Sequence, residues 1–148
     1  MPDVHMRRLT YGDRGLARNL FAMMAAVFAE ECGHLTDGYL DALLAREDFW
    51  GIAAFIRDEI VGGVTAHTLP MTRTESSELF IYDIAVRSDQ RRKGIGRQLM
   101  LALREAAAAA GIRTLFVPAD NDDANALDFY RALGGSPASV TFFTFSGQ

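Results

Sequence analysis

The chain has 148 residues, a formal net charge of −4, 49% hydrophobic residues and 23% charged residues. This suits one domain, spanning 1–148, that buries a core without staples, and the acidic balance argues against nucleic-acid binding, which needs a basic footprint. The single cysteine, Cys32, rules out an internal disulfide and fits a reducing cytoplasm, while no signal-peptide core or run of about 18 apolar residues points to export or a membrane span.

In chain order, residues 4–9 read as a first strand. Residues 13–30 carry Leu16, Leu20, Met23, Met24, Val27 and Phe28 at helical spacing, with Asp13 as the expected N-cap. A second helix is expected over 36–48, starting at Thr36 or Asp37. Residues 49–69 read as a hairpin around the polar turn Arg57-Asp58-Glu59. A polar loop, 70–78, leads to "LFIYDIAV" (79–86), apolar at nearly every position as a strand covered on both faces would be. Asp83 interrupts it. Residues 96–111 give the strongest helix, with Leu99, Leu103 and Ala107 on one stripe and Gly111 as its C-terminal stop. A strand over 112–119, a helix over 122–135 and a last strand over 139–145 complete a mixed α/β order.

The segment "RSDQRRKGIGRQLM" (87–100) joins the apolar strand to the strongest helix. Gly94 and Gly96 lack a Cβ, so an anion can come close to the backbone. The first amides of a helix lack intrahelical partners and carry the positive end of its dipole. Together these make a pyrophosphate cradle. Arg91, Arg92, Lys93 and Arg97 add cations at its rim, and no acid lies between Gln90 and Arg104. The alternative is a glycine-bearing turn with a solvated cationic face. A P-loop is excluded because no G-x-x-x-x-G-K-[ST] is present, and a dinucleotide fingerprint is excluded because a third glycine is missing.

The strand 79–86, Arg91-x-x-Gly94-x-Gly96 and the apolar helix after them resemble the acyl-CoA-binding motif of the GNAT family of N-acetyltransferases. Ala126, Tyr130 and Gly134 in "NDDANALDFYRALGG" stand where that family's N-x-x-A-x-x-x-Y-x-x-x-G-F motif puts them. Asp123 replaces its asparagine and Gly135 its phenylalanine. Over residues 35–145 the chain looks like the small aminoglycoside 3-N-acetyltransferases, the gentamicin acetyltransferase type I group. "ELFIYDIAVRSDQRRKGIG" and "FVPADNDDANALDFYRALG" carry that likeness.

The resemblance implies a GNAT fold, with a mixed, mostly antiparallel sheet flanked by helices, and acetyl-CoA as cosubstrate with no metal. It implies acetyl transfer to the 3-amino group of an aminoglycoside antibiotic in a ternary complex. An ammonium is no nucleophile, so a base must take a proton directly or through water. Asp83, the lone acid of its strand, is the expected base and amine-orienting group, with a pKa raised by desolvation. A water held by Asp83 and Glu78 is the variant. Tyr130 is implied as the acid for the departing thiolate. The backbone of Ile84, Ala85 and Val86 is implied to hold the thioester carbonyl and the pantetheine arm. Arg91, Arg92, Lys93, Gly94, Ile95, Gly96 and Arg97 are implied to hold the pyrophosphate. A polycationic acceptor needs acids around it, and Glu78, Tyr82, Asp83, Asp120 and Asp123 are expected to contact it. Glu30, Glu31, Asp37 and Glu75 are held more loosely, and Asp122 and Asp123 also suit the start of a helix.

His5, His34 and His67 show no metal-ligand spacing with one another or with Cys32. His67 is expected to be structural, and His34 lies in a loop within reach of substrate. Phe142 and Phe143 are expected at the edge of the cleft. Relatives that pair through their last strands imply a homodimer, for which "VTFFTF" supplies an apolar edge. Two alternatives stand beside the antibiotic reading. One is transfer to another cationic amine, a polyamine or a protein amine. The other is a non-catalytic acyl-CoA sensor, which needs the 91–97 cradle but neither Asp83 nor Tyr130.

Overall fold

The computed structural model describes residues 3–147. They form two compact units, one ending at Pro118 and one beginning at Ala119. The first unit holds a five-stranded sheet of β1 (Val4–Arg8), β2 (Phe49–Ile56), β3 (Glu59–Pro70), β4 (Ser77–Val86) and β5 (Thr114–Phe116), in that spatial order. The first three pairings are antiparallel and β4–β5 is parallel. The unit also contains helices α1 (Arg14–Val27), α2 (Asp37–Ala45) and α3 (Ile95–Ala109). The order of elements implies the α/β class, and the family resemblance implies the mostly antiparallel sheet that forms.

Two adjacent glycines in β3 show how the helices are layered. Successive strand residues face opposite sides of a sheet. A Cβ on Gly63 would sit 2.3 Å from Leu20 Cδ1 of α1, whereas one on Gly62 would meet Leu99 and Ile95 of α3 at 3.2–3.3 Å. So α1 covers one face of the sheet, close enough to leave no room for a Cβ at Gly63, and α3 covers the other in a tight contact at Gly62. Leu20 and Leu40 are fully buried on the α1 side, together with Phe49, Phe55 and Ala85. On α3, Ile95, Leu99, Leu103 and Ala107 form the buried stripe that their i, i+4 spacing predicts.

The helix ends follow local chemistry, with one exception. The Thr36 hydroxyl caps α2 by accepting from the Tyr39 amide at 3.2 Å. Gly111, at φ 82°, closes α3, with the Ile112 amide donating to the Ala107 carbonyl at 2.8 Å. Asp13 stands at the N-cap position of α1, but its carboxylate does not cap the helix. It accepts instead from the Thr10 amide at 2.8 Å and from Arg7, so the expected cap is replaced by a tie back toward β1.

The strand expected over 112–119 shrinks to Thr114–Phe116. The second unit contains α4 (Ala124–Ala132). Gly134 at φ 91° ends it, as the paired glycines suggest. The expected strand over 139–145 does not form. A strand exists only with a ladder partner for its amides and carbonyls, and no sheet strand pairs with this segment among the described residues. Its large side chains are left in water: Val140 is 76% exposed, Phe142 78%, Phe143 75% and Phe145 94%. Phe142 and Phe143 are therefore exposed rather than packed.

Candidate active site

Strand β4 carries the decisive irregularity. Asp83 pairs with Thr65 of β3, yet Ile81 pairs with the very next residue, Ala66. Tyr82 is the extra residue of a β-bulge, which leaves two residues on one strand against one on the other. Plain alternation from Leu79 and Ile81 would turn Asp83 toward the α3 face. The bulge shifts the phase by one residue and turns it to the α1 face.

There Tyr82 and Asp83 line a cavity of about 390 Å³. Phe49, Thr65 and His67 of the sheet form the rest of its floor. Its walls are Phe21, Met24, Ala25, Phe28 and Glu30 from α1 and the turn after it, and Leu35, Tyr39 and Leu43 from α2 and its approach. The His67 ring lies 5.4 Å from Phe49 and 6.0 Å from Tyr82, centre to centre. It is both packed into this aromatic row and part of the cavity surface.

The cavity walls are fixed at both ends of the 28–36 connection. At the first end, Ala29 takes a left-handed φ of 55°, its amide bonds Ala26 O at 3.1 Å, and the Glu30 amide bonds Ala25 O at 2.9 Å. These are the two bonds of a Schellman motif, here built on alanine where glycine is usual. A left-handed alanine costs about 1 kcal/mol. At the other end, Arg18 bonds the Leu35 carbonyl and the Asp37 carboxylate, and Arg14 forks onto Asp41 at 2.6 and 3.0 Å. That fork holds the Asp41 carboxyl below the ordinary carboxylate range.

Asp83 behaves oppositely. Burial raises its pKa first, and the charge of Glu30 raises it further. Among the described residues no ion pair involves Asp83. A half-buried carboxylate with no cation beside it, on the floor of a cavity, is chemically poised to accept a proton or hold an ammonium.

The expected acceptor residues divide. Tyr82 and Asp83 come together in the cavity, whereas Glu78 does not line it. It pairs with Leu69 and Thr114. Five residues along a strand span about 16 Å, too far for the expected shared water between Glu78 and Asp83. His34 is exposed outside the lining. Phe28, Tyr39, Thr65 and His67 are wall residues that sequence reasoning missed, because three separate elements assemble the cavity.

Beyond Phe80, the ladder between β4 and β5 stops. Residues 81–86, including Ile84, Ala85 and Val86, pair only with β3 among the described residues. One backbone edge of this stretch is thus open for a ligand's amides. After it comes the 91–97 turn, with Arg92 at φ 64° and Gly94 at φ 79°. Left-handed residues in a short turn form the concave backbone that binds anions. A Cβ on Gly94 would meet nothing within 4 Å, so the space beside it is open. The first intrahelical bond of α3 runs from Gln98 to Gly94 O at 3.0 Å, and the amides of Ile95, Gly96 and Arg97 precede it. Arg91, Arg92, Lys93 and Arg97 are exposed around them. Asp89, the acid nearest in sequence, is held by Arg87 at 2.7 Å, and the charge of Lys93 also acts on it. A diphosphate fits this set of donors.

In the second unit, Asp123 caps α4, its carboxylate accepting from the Ala126 amide at 3.1 Å. Its own amide bonds the Asp120 carbonyl at 3.0 Å. Asp123 therefore has a structural task in addition to any contact with substrate. Tyr130 lies in the last turns of α4, half-buried, with its ring 5.3 Å from Phe129. Among the described residues no group of three or more His, Cys, Asp or Glu side chains is placed to hold a metal ion, and no helix is long and apolar enough to cross a membrane.

A family model described as the acetyltransferase (GNAT) family matches residues 17–134. No curated protein matches the chain. Among solved structures, an aminoglycoside acetyltransferase from an uncultured soil metagenomic sample, in complex with trehalose, is 31% identical. It covers 98% of this chain and 97% of its own, with a TM-score of 0.93. The same enzyme in complex with sisomicin aligns at 29% identity and a TM-score of 0.94, covering 98% and 97%. Another aminoglycoside acetyltransferase from an uncultured soil metagenomic sample is 30% identical over 99% of both chains, with a TM-score of 0.94.

Proposed function

The chain belongs to the acetyltransferase (GNAT) family, and from that premise we propose that it acetylates the 3-amino group of aminoglycoside antibiotics with acetyl-CoA, conferring resistance. The observation that carries this reading is Asp83, a desolvated carboxylate without a cation on the floor of the 390 Å³ cavity. Relatives at about 30% identity that are aminoglycoside acetyltransferases support the acceptor class.

In this reading the acceptor ammonium enters the cavity and gives a proton to Asp83. The freed amine attacks the thioester carbon, and the carbonyl oxygen gains negative charge. Backbone amides along the open edge at 84–86 stabilise it. The C–S bond then breaks, the CoA thiolate takes a proton from Tyr130, and the second proton of the acylated nitrogen passes through water to the Tyr130 phenolate. The 91–97 turn holds the pyrophosphate. The role of Tyr130 rests on its place in the A-x-x-x-Y motif. Tyr130→Phe is expected to slow transfer roughly 10- to 1000-fold, with acetyl-CoA affinity unchanged. A Phe variant at full rate removes Tyr130 from the chemistry.

Regiochemistry is tested on the product. Incubation with acetyl-CoA and sisomicin, followed by NMR, is expected to give one acetyl group, on the 3-amino nitrogen. Acetylation at another amine would overturn the position and keep the reaction. A second reading, transfer to another cationic amine, draws on the apolar walls at Phe28, Leu35 and Tyr39, which suit a less charged acceptor.

The homodimer belongs to the same proposal. Four large apolar side chains in six residues, each at least 75% exposed, have β-rich composition and lack a ladder partner. A second copy supplies both cover and pairing. Light scattering is expected to give twice the 16.3 kDa chain mass, and Phe142→Ser with Phe143→Ser to give monomer. A wild-type chain that runs as monomer at micromolar concentration would contradict the assembly.

A further inference from the structure

We infer that Glu30 is a second anchor for the acceptor, so that the site selects a substrate carrying two ammonium groups, one presented to Asp83 and the other to Glu30. This rests on the proposed reaction in the same cavity. Among the described residues, Glu30 and Asp83 are the only carboxylates in the lining, and neither lysine nor arginine belongs to it. The two acids are close enough for the charge of Glu30 to act on Asp83. Two like charges sharing one cavity repel, and a dication relieves both at once.

Glu30 is also built into place. Its backbone is the closing residue of the Schellman motif at the end of α1, with the amide committed to Ala25 at 2.9 Å. Asp83 is fixed by the bulge on β4. The two acids therefore rise from defined backbone on different elements that line the same cavity. The remaining lining, including Phe28, Tyr39 and Tyr82, offers rings against which a hydrocarbon frame between two ammonium groups can lie. Among the described residues no other acid, Glu31 and Glu78 included, reaches the lining. Glu30 is accordingly a residue that determines specificity, and it takes no proton from the reacting amine.

The test is calorimetric titration of the full chain with sisomicin, and with cyclohexylamine as a monoamine, comparing wild type with Glu30→Gln. The glutamine keeps the shape of the side chain and leaves the backbone motif alone. Sisomicin binding is expected to weaken at least 10-fold in Glu30→Gln, with cyclohexylamine and acetyl-CoA binding unchanged. In turnover the loss is expected chiefly in KM, with a smaller change in kcat because the Glu30 charge also acts on Asp83. Sisomicin binding as tight in Glu30→Gln as in wild type would overturn the anchor, as would wild type that does not bind sisomicin. Thiol release separates this result from the proposed reaction. Wild type that binds sisomicin through Glu30 but releases no thiol sinks acetyl transfer and keeps the anchor. Wild type and Glu30→Gln that acetylate sisomicin with equal KM sink the anchor and keep the reaction.

Discussion

Asp83→Asn is expected to lower turnover by about 10²- to 10⁴-fold, the range for loss of a positioned general base, while acetyl-CoA binds as in wild type. The substitution keeps size and hydrogen-bonding capacity but cannot accept the proton. Its effect on stability should have the opposite sign. Burial raises the Asp83 pKa in the folded chain above its unfolded value. The folded state then holds the proton more tightly than the unfolded state. The favourable contribution of Asp83 is fully present below the unfolded pKa and is lost as pH rises through the raised folded one. Relative to wild type, Asp83→Asn should therefore gain thermal stability as pH increases across that window. Thermal melts between pH 4 and 8, run beside thiol-release assays, check both halves. An inactive variant that also melts lower at neutral pH would mean that the asparagine damages the fold, and an active one would end the assignment of Asp83 as base.

The second large effect is structural. Gly63→Val is expected to destabilise the chain by about 3 kcal/mol, at the upper end of the cost of overpacking a core. The first added carbon already falls 2.3 Å from Leu20 Cδ1 and 3.3 Å from the Ile52 carbonyl oxygen. Leu20 is fully buried, so displacing its side chain disturbs the close packing of α1 on the sheet. Helix α1 must lift from β3, and because Phe21, Met24 and Ala25 of α1 wall the cavity, the acceptor KM should rise as well. Gly38→Ala in α2 is the matched control. No atom lies within 4 Å of its added Cβ, and alanine suits a helix better by about 0.5–1 kcal/mol, so its melting temperature should stay level or rise. Equal melting temperatures for Gly63→Val and wild type would mean that the close approach of α1 to the sheet is not a constraint.

The candidate site was legible in the sequence where one residue contradicted its surroundings. Asp83 stood out because a lone acid in an apolar strand needs a reason. The 91–97 turn stood out because cations and glycines were concentrated in an acidic chain. The helix stripe from Leu99 to Ala107 and the glycine stops at 111 and 134 follow from local rules, and the structure has them. The direction in which Asp83 faces was not legible. Alternation assigns it to the α3 side, and only the pairing of Thr65 and Ala66 with Asp83 and Ile81 reveals the bulge. Tyr39 and His67 were hidden as lining residues, and Glu30 was not singled out from the other loosely held acids, for a related reason. They are brought together by three elements, and neither composition nor spacing along the chain records that meeting. Residues 139–145 show the opposite failure. Val, Thr and Phe have strong β propensity, but propensity does not make a strand without a partner, and the segment stays outside the sheet.

Acceptor-dependent thiol release from acetyl-CoA by the purified chain tests the central claim most directly. The panel is sisomicin, gentamicin, kanamycin, spermidine and a histone-tail peptide. Rapid release is expected with sisomicin or gentamicin, and little with the peptide. Release only with spermidine or the peptide would contradict the antibiotic acceptor, and no release with any amine, despite measurable acetyl-CoA binding, would contradict catalysis altogether.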